Sequence, residues 1–95
     1  MASNSNAETI INALQAGDSH AIEALYAHHR EGFFRWASYR FEGNRQDFED
    51  AWQDAIIAFY QQVIQGKLLH LRHEVRTWLY AVGYKRLLNN KRKLK

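Results

Sequence analysis

Residues 47–65 read DFEDAWQDAIIAFYQQVIQ. Phe48, Trp52, Ala55, Ile56, Phe59 and Val63 recur at three- and four-residue steps. An α-helix turns about 100° per residue, so this spacing lines them along one face. Asp47, Asp50, Gln53, Asp54 and Gln61 fall on the opposite face. Ile57 and Ile64 stand off the main apolar stripe, on one edge of the polar face. A carboxylate-and-amide face seeded with isoleucine suits a basic partner helix. A solvated helix face with two stray isoleucines is the plainer alternative.

The flanking sequence extends the helical pattern. Ile10, Ile11 and Leu14 mark a short helix from Ala7 to Ala16, which Gly17 stops. Asp18 and Ser19 are N-cap residues for a second helix over about 19–41, with Ile22, Leu25, Tyr26, His29, Phe33, Trp36 and Arg40 in helical register. Gly32 sits inside it, where it costs about 1 kcal/mol against alanine and would leave room for another helix to approach. Residues 42–46 form a turn, and Gly66 ends the central helix. A last helix covers about 75–91, with one stripe of Val75, Trp78, Leu79 and Val82 and a second, nearly opposite, of Tyr80, Tyr84, Leu87 and Lys91. A helix apolar on two sides sits between neighbours or offers one side to a partner. The expected fold is all-α: a compact bundle of three long helices, at 19–41, 47–65 and 75–91, behind a short leading one. It forms a single domain over residues 7–95 after a disordered segment, residues 1–6. Phe48, Trp52, Ile56 and Phe59 are expected to pack against Trp36 and Trp78.

The 95 residues suit one small domain. No cysteine is present, which excludes disulfides and thiolate metal sites and fits a reducing, cytoplasmic setting. No apolar run approaches the roughly 18 residues of a membrane span, and no secretory signal pattern opens the chain, so no membrane association is expected. The net charge of +3 conceals an asymmetry: residues 1–66 hold four basic against nine acidic side chains, whereas residues 67–95 hold nine basic against Glu74 alone. One acidic and one basic region point to two partners of opposite sign, and the basic end points to a polyanion, most simply nucleic acid.

Enzyme chemistry is not expected. Asp50 and Asp54 share an open helix face, where like charges merely repel, and no nucleophile, phosphate loop or triad accompanies them. Adjacent His28 and His29 point apart on a helix, and no carboxylate or cysteine completes a site around His70 and His73. Neither a metal nor a cofactor is expected.

Three stretches resemble a known family. Asp47-Phe48-Glu49-Asp50-Ala51-Trp52-Gln53-Asp54-Ala55 is similar to the signature of region 2 of bacterial extracytoplasmic-function (ECF) sigma factors, of the sigma-70 family. Residues 76–82, RTWLYAV, resemble the segment that opens that family's promoter-contacting helix. Gln15-Ala16-Gly17-Asp18, with Ala21, Leu25 and Tyr26, resembles its start. Gly83-Tyr84-Lys85 departs from the family's usual Ala-Arg-Asn, and the KLLHLRHEV connector departs from its small polar loop. The resemblance implies a transcription initiation factor that binds the clamp helices of the largest RNA polymerase subunit. It implies capture of the promoter −10 element as a melted non-template strand with a flipped base. An anti-sigma factor is a further implied partner, and a second helical domain, region 4, would lie outside this chain. The polymerase surface would comprise Asp47, Asp50, Gln53, Asp54 and Ile57. The DNA surface would comprise Lys67, Arg72, Arg76, Tyr80, Tyr84, Lys85, Arg86, Lys91 and Arg92. Two alternatives remain open: a helical adaptor or anti-sigma-like domain that binds only protein, and a generic helix-turn-helix DNA-binding domain, for which the gap from Gly66 to Val75 is long.

Overall fold

The computed structural model describes residues 2–68, 71 and 74–93, with side chains over 7–68, 71 and 74–89. It is an all-α bundle: α1 Ala2–Gln15, α2 Ser19–Ser38, α3 Arg45–Ile64 and α4 Val75–Lys93. α1 starts ahead of the predicted Ala7, inside the segment expected to be disordered.

Local chemistry sets most boundaries. Gly17 takes φ 91° and Gly66 φ 77°, the left-handed backbone that glycine adopts without Cβ strain. At the end of α1, Asp18 N–H donates to the Ala13 carbonyl and Gly17 N–H to that of Leu14, both at 3.0 Å. At the end of α3, Lys67 N–H donates to Gln62 O at 2.9 Å and Gly66 N–H to Val63 O at 3.1 Å. Both are Schellman closures that satisfy the last carbonyls of the helix. Asp18 caps α2 by accepting from His20 N–H at 3.0 Å. α2 stops at Ser38, short of the predicted 41, and the chain turns so that the Phe41 ring meets Phe48 edge-on at 6.4 Å. α3 begins at Arg45, because Asn44 and Asp47 form a reciprocal capping box.

α3 is the central element and packs against each of the other three helices. Its buried face is Phe48, Ala51, Trp52, Ala55, Ile56, Phe59 and Val63, which includes the whole predicted stripe. Trp52 is 0 % exposed, stacks on Phe33 at 5.1 Å, and donates its indole N–H to the Tyr26 carbonyl at 3.1 Å. Trp36 and Trp78 are half-buried at the margin of the core instead of central to it. Trp78 meets Phe59 edge-on at 5.4 Å.

α4 lies between neighbours, which explains its two apolar stripes. Val75, Leu79, Gly83 and Leu87 are buried along one row at four-residue steps, with Trp78 and Val82 half-buried on one flank of it and Tyr80 and Tyr84 half-buried on the other, toward α2. Two glycines let the helices come this close. A Cβ on Gly32 would meet the Tyr80 hydroxyl at 2.5 Å, and one on Gly83 would lie 2.7 Å from the Phe33 ring. Phe33 is itself fully buried against Trp52 and has no room to yield.

Truncating the fully buried Phe59 to alanine is expected to cost about 3–5 kcal/mol in a denaturant titration. A loss under about 1 kcal/mol would contradict its place in the core. Gly83→Ala discriminates further. Helix propensity alone favours alanine by about 1 kcal/mol, but overpacking against Phe33 costs about 1–3 kcal/mol. The expected net change is destabilising, and a stabilised variant would disprove the close approach.

Candidate partner-helix and nucleic-acid surfaces

The outward face of α3 combines acids, amides and apolar side chains. Asp50 and Gln53 are exposed and Asp54 is half-buried. Ile57 is 53 %, Tyr60 41 % and Ile64 48 % exposed. Positions 50, 57 and 64 are spaced by heptads, and Gln53 and Tyr60 fall three residues after the first two. This is the a/d seam by which one helix receives another. Tyr60 was not among the residues singled out from sequence, although the same spacing contains it. The first polar residues are partly engaged within the helix: Asp50 accepts from Gln46 Nε2 at 2.8 Å, and Gln53 Nε2 donates to Glu49 at 3.4 Å. Asp47 is half-buried, and its carboxylate accepts from the Asn44 N–H at 3.0 Å, which fixes the start of α3.

A second surface runs along the crossing of α2 and α4. The half-buried rings of Trp36, Tyr80 and Tyr84 adjoin one another, Trp36 lying 5.1 Å from Tyr80 and 5.6 Å from Tyr84. The Arg40 guanidinium covers the Trp36 ring at 4.5 Å, and the Tyr84 hydroxyl donates to the Arg40 carbonyl at 3.3 Å. Burial pushes the Tyr80 hydroxyl above its ordinary pKa, and the charges of Arg76 and Arg35 pull it back, which places cations from both helices beside that ring. Arg35, Arg40 and Arg76 are exposed beside these rings; Lys85 and Arg86 are exposed too, but follow Tyr84 at about 100° and 200° around α4 and so stand on other faces of it, and Lys67 is exposed after α3. Tyr80 and Tyr84 thus serve the α2–α4 packing first, with only their margins toward solvent. Arg72 lies outside the described residues, as do the side chains of Lys91 and Arg92. Arg35 and Trp36 of α2, and Arg40 just beyond its end, join this surface. The charge count of the basic C-terminal third did not point to them, because they belong to the part of the chain that is acidic overall.

The sequence reading also missed a polar clamp between α2 and α3. Glu49 accepts from the Tyr26 hydroxyl and from Arg30, whose Nε lies at 3.0 Å. Arg30 also reaches Glu31 at 2.8 Å, and Glu31 accepts from Arg45 at 2.9 Å. The guanidinium groups of Arg30 and Arg45 lie 4.6 and 4.8 Å from the Phe34 ring centroid. The hydrogen bonds from Arg30 and then Tyr26 hold the Glu49 carboxyl below its ordinary value. In sequence Glu49 reads as one more acid of the α3 polar face; only its facing partners on α2 distinguish it.

Among the described residues, no group of three His, Cys, Asp or Glu side chains could hold a metal ion. No helix among them is long and apolar enough to cross a membrane. No known protein family, curated protein or solved structure matches the chain.

The clamp predicts an acid limb of stability. Because the folded-state pKa of Glu49 is depressed, its contribution is complete above the unfolded value of 4.5 and is lost as pH falls from there through the folded value. Glu49→Gln is expected to lower Tm at pH 7 by about 5 °C and to flatten the pH dependence of Tm below pH 4.5. An unchanged acid limb in melts of the variant would remove the clamp from the stability of the bundle.

Proposed function

We propose that this chain is a transcription-initiation domain that joins RNA polymerase to melted promoter DNA. The observation that carries this reading is the separation of two unlike surfaces on one small bundle. One is the acid, amide and isoleucine seam on α3, and the other is the cation-and-aromatic face across α2 and α4. A basic coiled coil, the clamp helices of the largest polymerase subunit, fits the first: Asp50, Gln53 and Asp54 meet its cations while Ile57, Tyr60 and Ile64 fill the apolar seam. The non-template strand of a −10 element fits the second. Single strands bind where cations track the phosphates and rings accept bases, and base capture requires such a surface more than a groove-reading helix. Arg76, Lys85, Arg86 and Lys67, joined by Arg35 and Arg40, supply cations for the backbone, and Lys85 offers only donors, which suits an acceptor-rich base edge. The sequence resemblance to ECF sigma region 2 points the same way. Arg72, Lys91 and Arg92 remain part of the proposed DNA surface on charge and resemblance. Work on DNA implies a cytoplasmic setting.

The second reading, a domain that binds only protein, draws on the exposed Ile57–Tyr60–Ile64 seam and leaves the cationic face without a role. The two separate experimentally. Asp50→Arg places like charge against a basic partner and is expected to weaken retention of a clamp-helix fragment at least tenfold while leaving the melting curve unchanged. Retention at wild-type strength would sink the polymerase assignment. In titrations across several salt concentrations, a −10-like single strand is expected to bind more tightly than duplex or scrambled DNA. Each phosphate contact removed, as in Arg86→Ala, should lower the salt slope by about 0.7, whereas Lys85→Ala should alter sequence preference. Equal affinity for every oligonucleotide, unaffected by Lys85→Ala, would leave the protein-only reading.

A further inference from the structure

α1, α2 and the start of α4 enclose a cleft of about 410 Å³, within the range of small-molecule sites. Ile10, Leu25 and Val75 give it apolar walls, and the small side chains of Ala21 and Ala24 leave it open. Its rim is ionisable: His28 and His29 from α2, Glu74 and Arg76 from the start of α4. The histidine rings meet edge-on at 4.5 Å, and Glu74 pairs with Arg76 at 3.5 Å. Burial, then His28, then Arg76 hold the His29 imidazole below its ordinary pKa, and Glu74 opposes them least of the four. The cleft thus joins apolar walls to a rim that carries the Arg76 guanidinium and two imidazoles beside one carboxylate.

We propose that this cleft binds a small carboxylate with an apolar tail. The carboxylate would engage Arg76 and His29, and the tail would lie against Ile10, Leu25 and Val75. Arg76 supplies a fixed charge and His29 a conditional one. An anion at the rim favours the imidazolium, so binding takes up a proton and strengthens as pH falls. His28 on the same helix and Arg76 oppose that protonation, and Glu74 assists it. α1 lines the cleft with Thr9 and Ile10, neither of them charged. The cleft shares only Arg76 with the proposed DNA surface, so either site can fail without the other.

The test is an amide NMR titration of the full chain with octanoate below its micellar concentration, with octanol and inorganic phosphate as comparison ligands, at pH 8 and pH 6. Octanoate is expected to shift the amides of Ile10, Ala24, His29 and Val75 saturably, more tightly than either comparison ligand. Its affinity should rise about fivefold from pH 8 to pH 6, by linkage to a histidine proton. His29→Gln should abolish most of that rise. Ala24→Trp, at an exposed position on the cleft wall, should abolish the shifts while the melting curve stays as in wild type. The proposal is overturned if octanoate gives no saturable shift, if octanol binds equally well, if phosphate alone does, or if Ala24→Trp still binds.

Discussion

The buried indole of Trp52 is the constraint on which the rest of the bundle depends. It is large, fully enclosed, and carries one polar group that water cannot reach. The Tyr26 carbonyl satisfies that N–H, which fixes the distance and register of α2 against α3. The faces of the indole then determine its neighbours: Phe33 stacks on it, and Tyr80 of α4 approaches edge-on at 6.3 Å. Three helices therefore converge on one side chain. The glycines at 32 and 83 are needed because the rings that cluster there, Phe33 and Tyr80, leave no space for a Cβ on the facing helix.

Around this apolar centre, polar contacts act at the periphery and set direction more than strength. The Tyr26–Glu49–Arg30 clamp lies beside the Trp52 hydrogen bond and ties the same two helices together. Glu49 is mostly shielded from water, so its charge is tolerable only because Arg30 and Tyr26 replace the solvent it has lost. The farther links to Glu31 and Arg45 are well exposed and screened, and contribute less. With α2 fixed this way, its outward end brings Arg35, Trp36 and Arg40 beside α4, and the surface assembled there belongs to neither helix alone.

Both candidate surfaces follow from how the core divides each helix. α3 commits one face to three neighbours, and what is left over is the seam of Asp50, Gln53, Ile57, Tyr60 and Ile64. α4 commits one buried row and the flank on which its tyrosines lie half-buried, and its exposed character comes from Arg76, Lys85 and Arg86. An apolar stripe left exposed on a helix that already has a complete core is a feature packing does not require.

The sequence by itself determined the helices, their central stripe and the glycine stops of α1 and α3. These depend on interactions within a few residues: the 3.6-residue period, the capping chemistry of Asp18 and Asn44, and the left-handed turns at Gly17 and Gly66. It also determined the polarity of charge along the chain and the presence of off-stripe isoleucines at 57 and 64. Tertiary structure alone decided which polar and aromatic residues were engaged across helices. Glu49 went to a clamp across two helices, and Tyr80 and Tyr84 to the α2–α4 contact. Arg35 and Arg40 came out of an acidic stretch to join a basic face, and the cleft arose where α1, α2 and the start of α4 fail to close. The reason is that periodicity assigns a residue to a face of its own helix, whereas burial and pairing depend on what the neighbouring helix presents at that height, a relation between positions tens of residues apart.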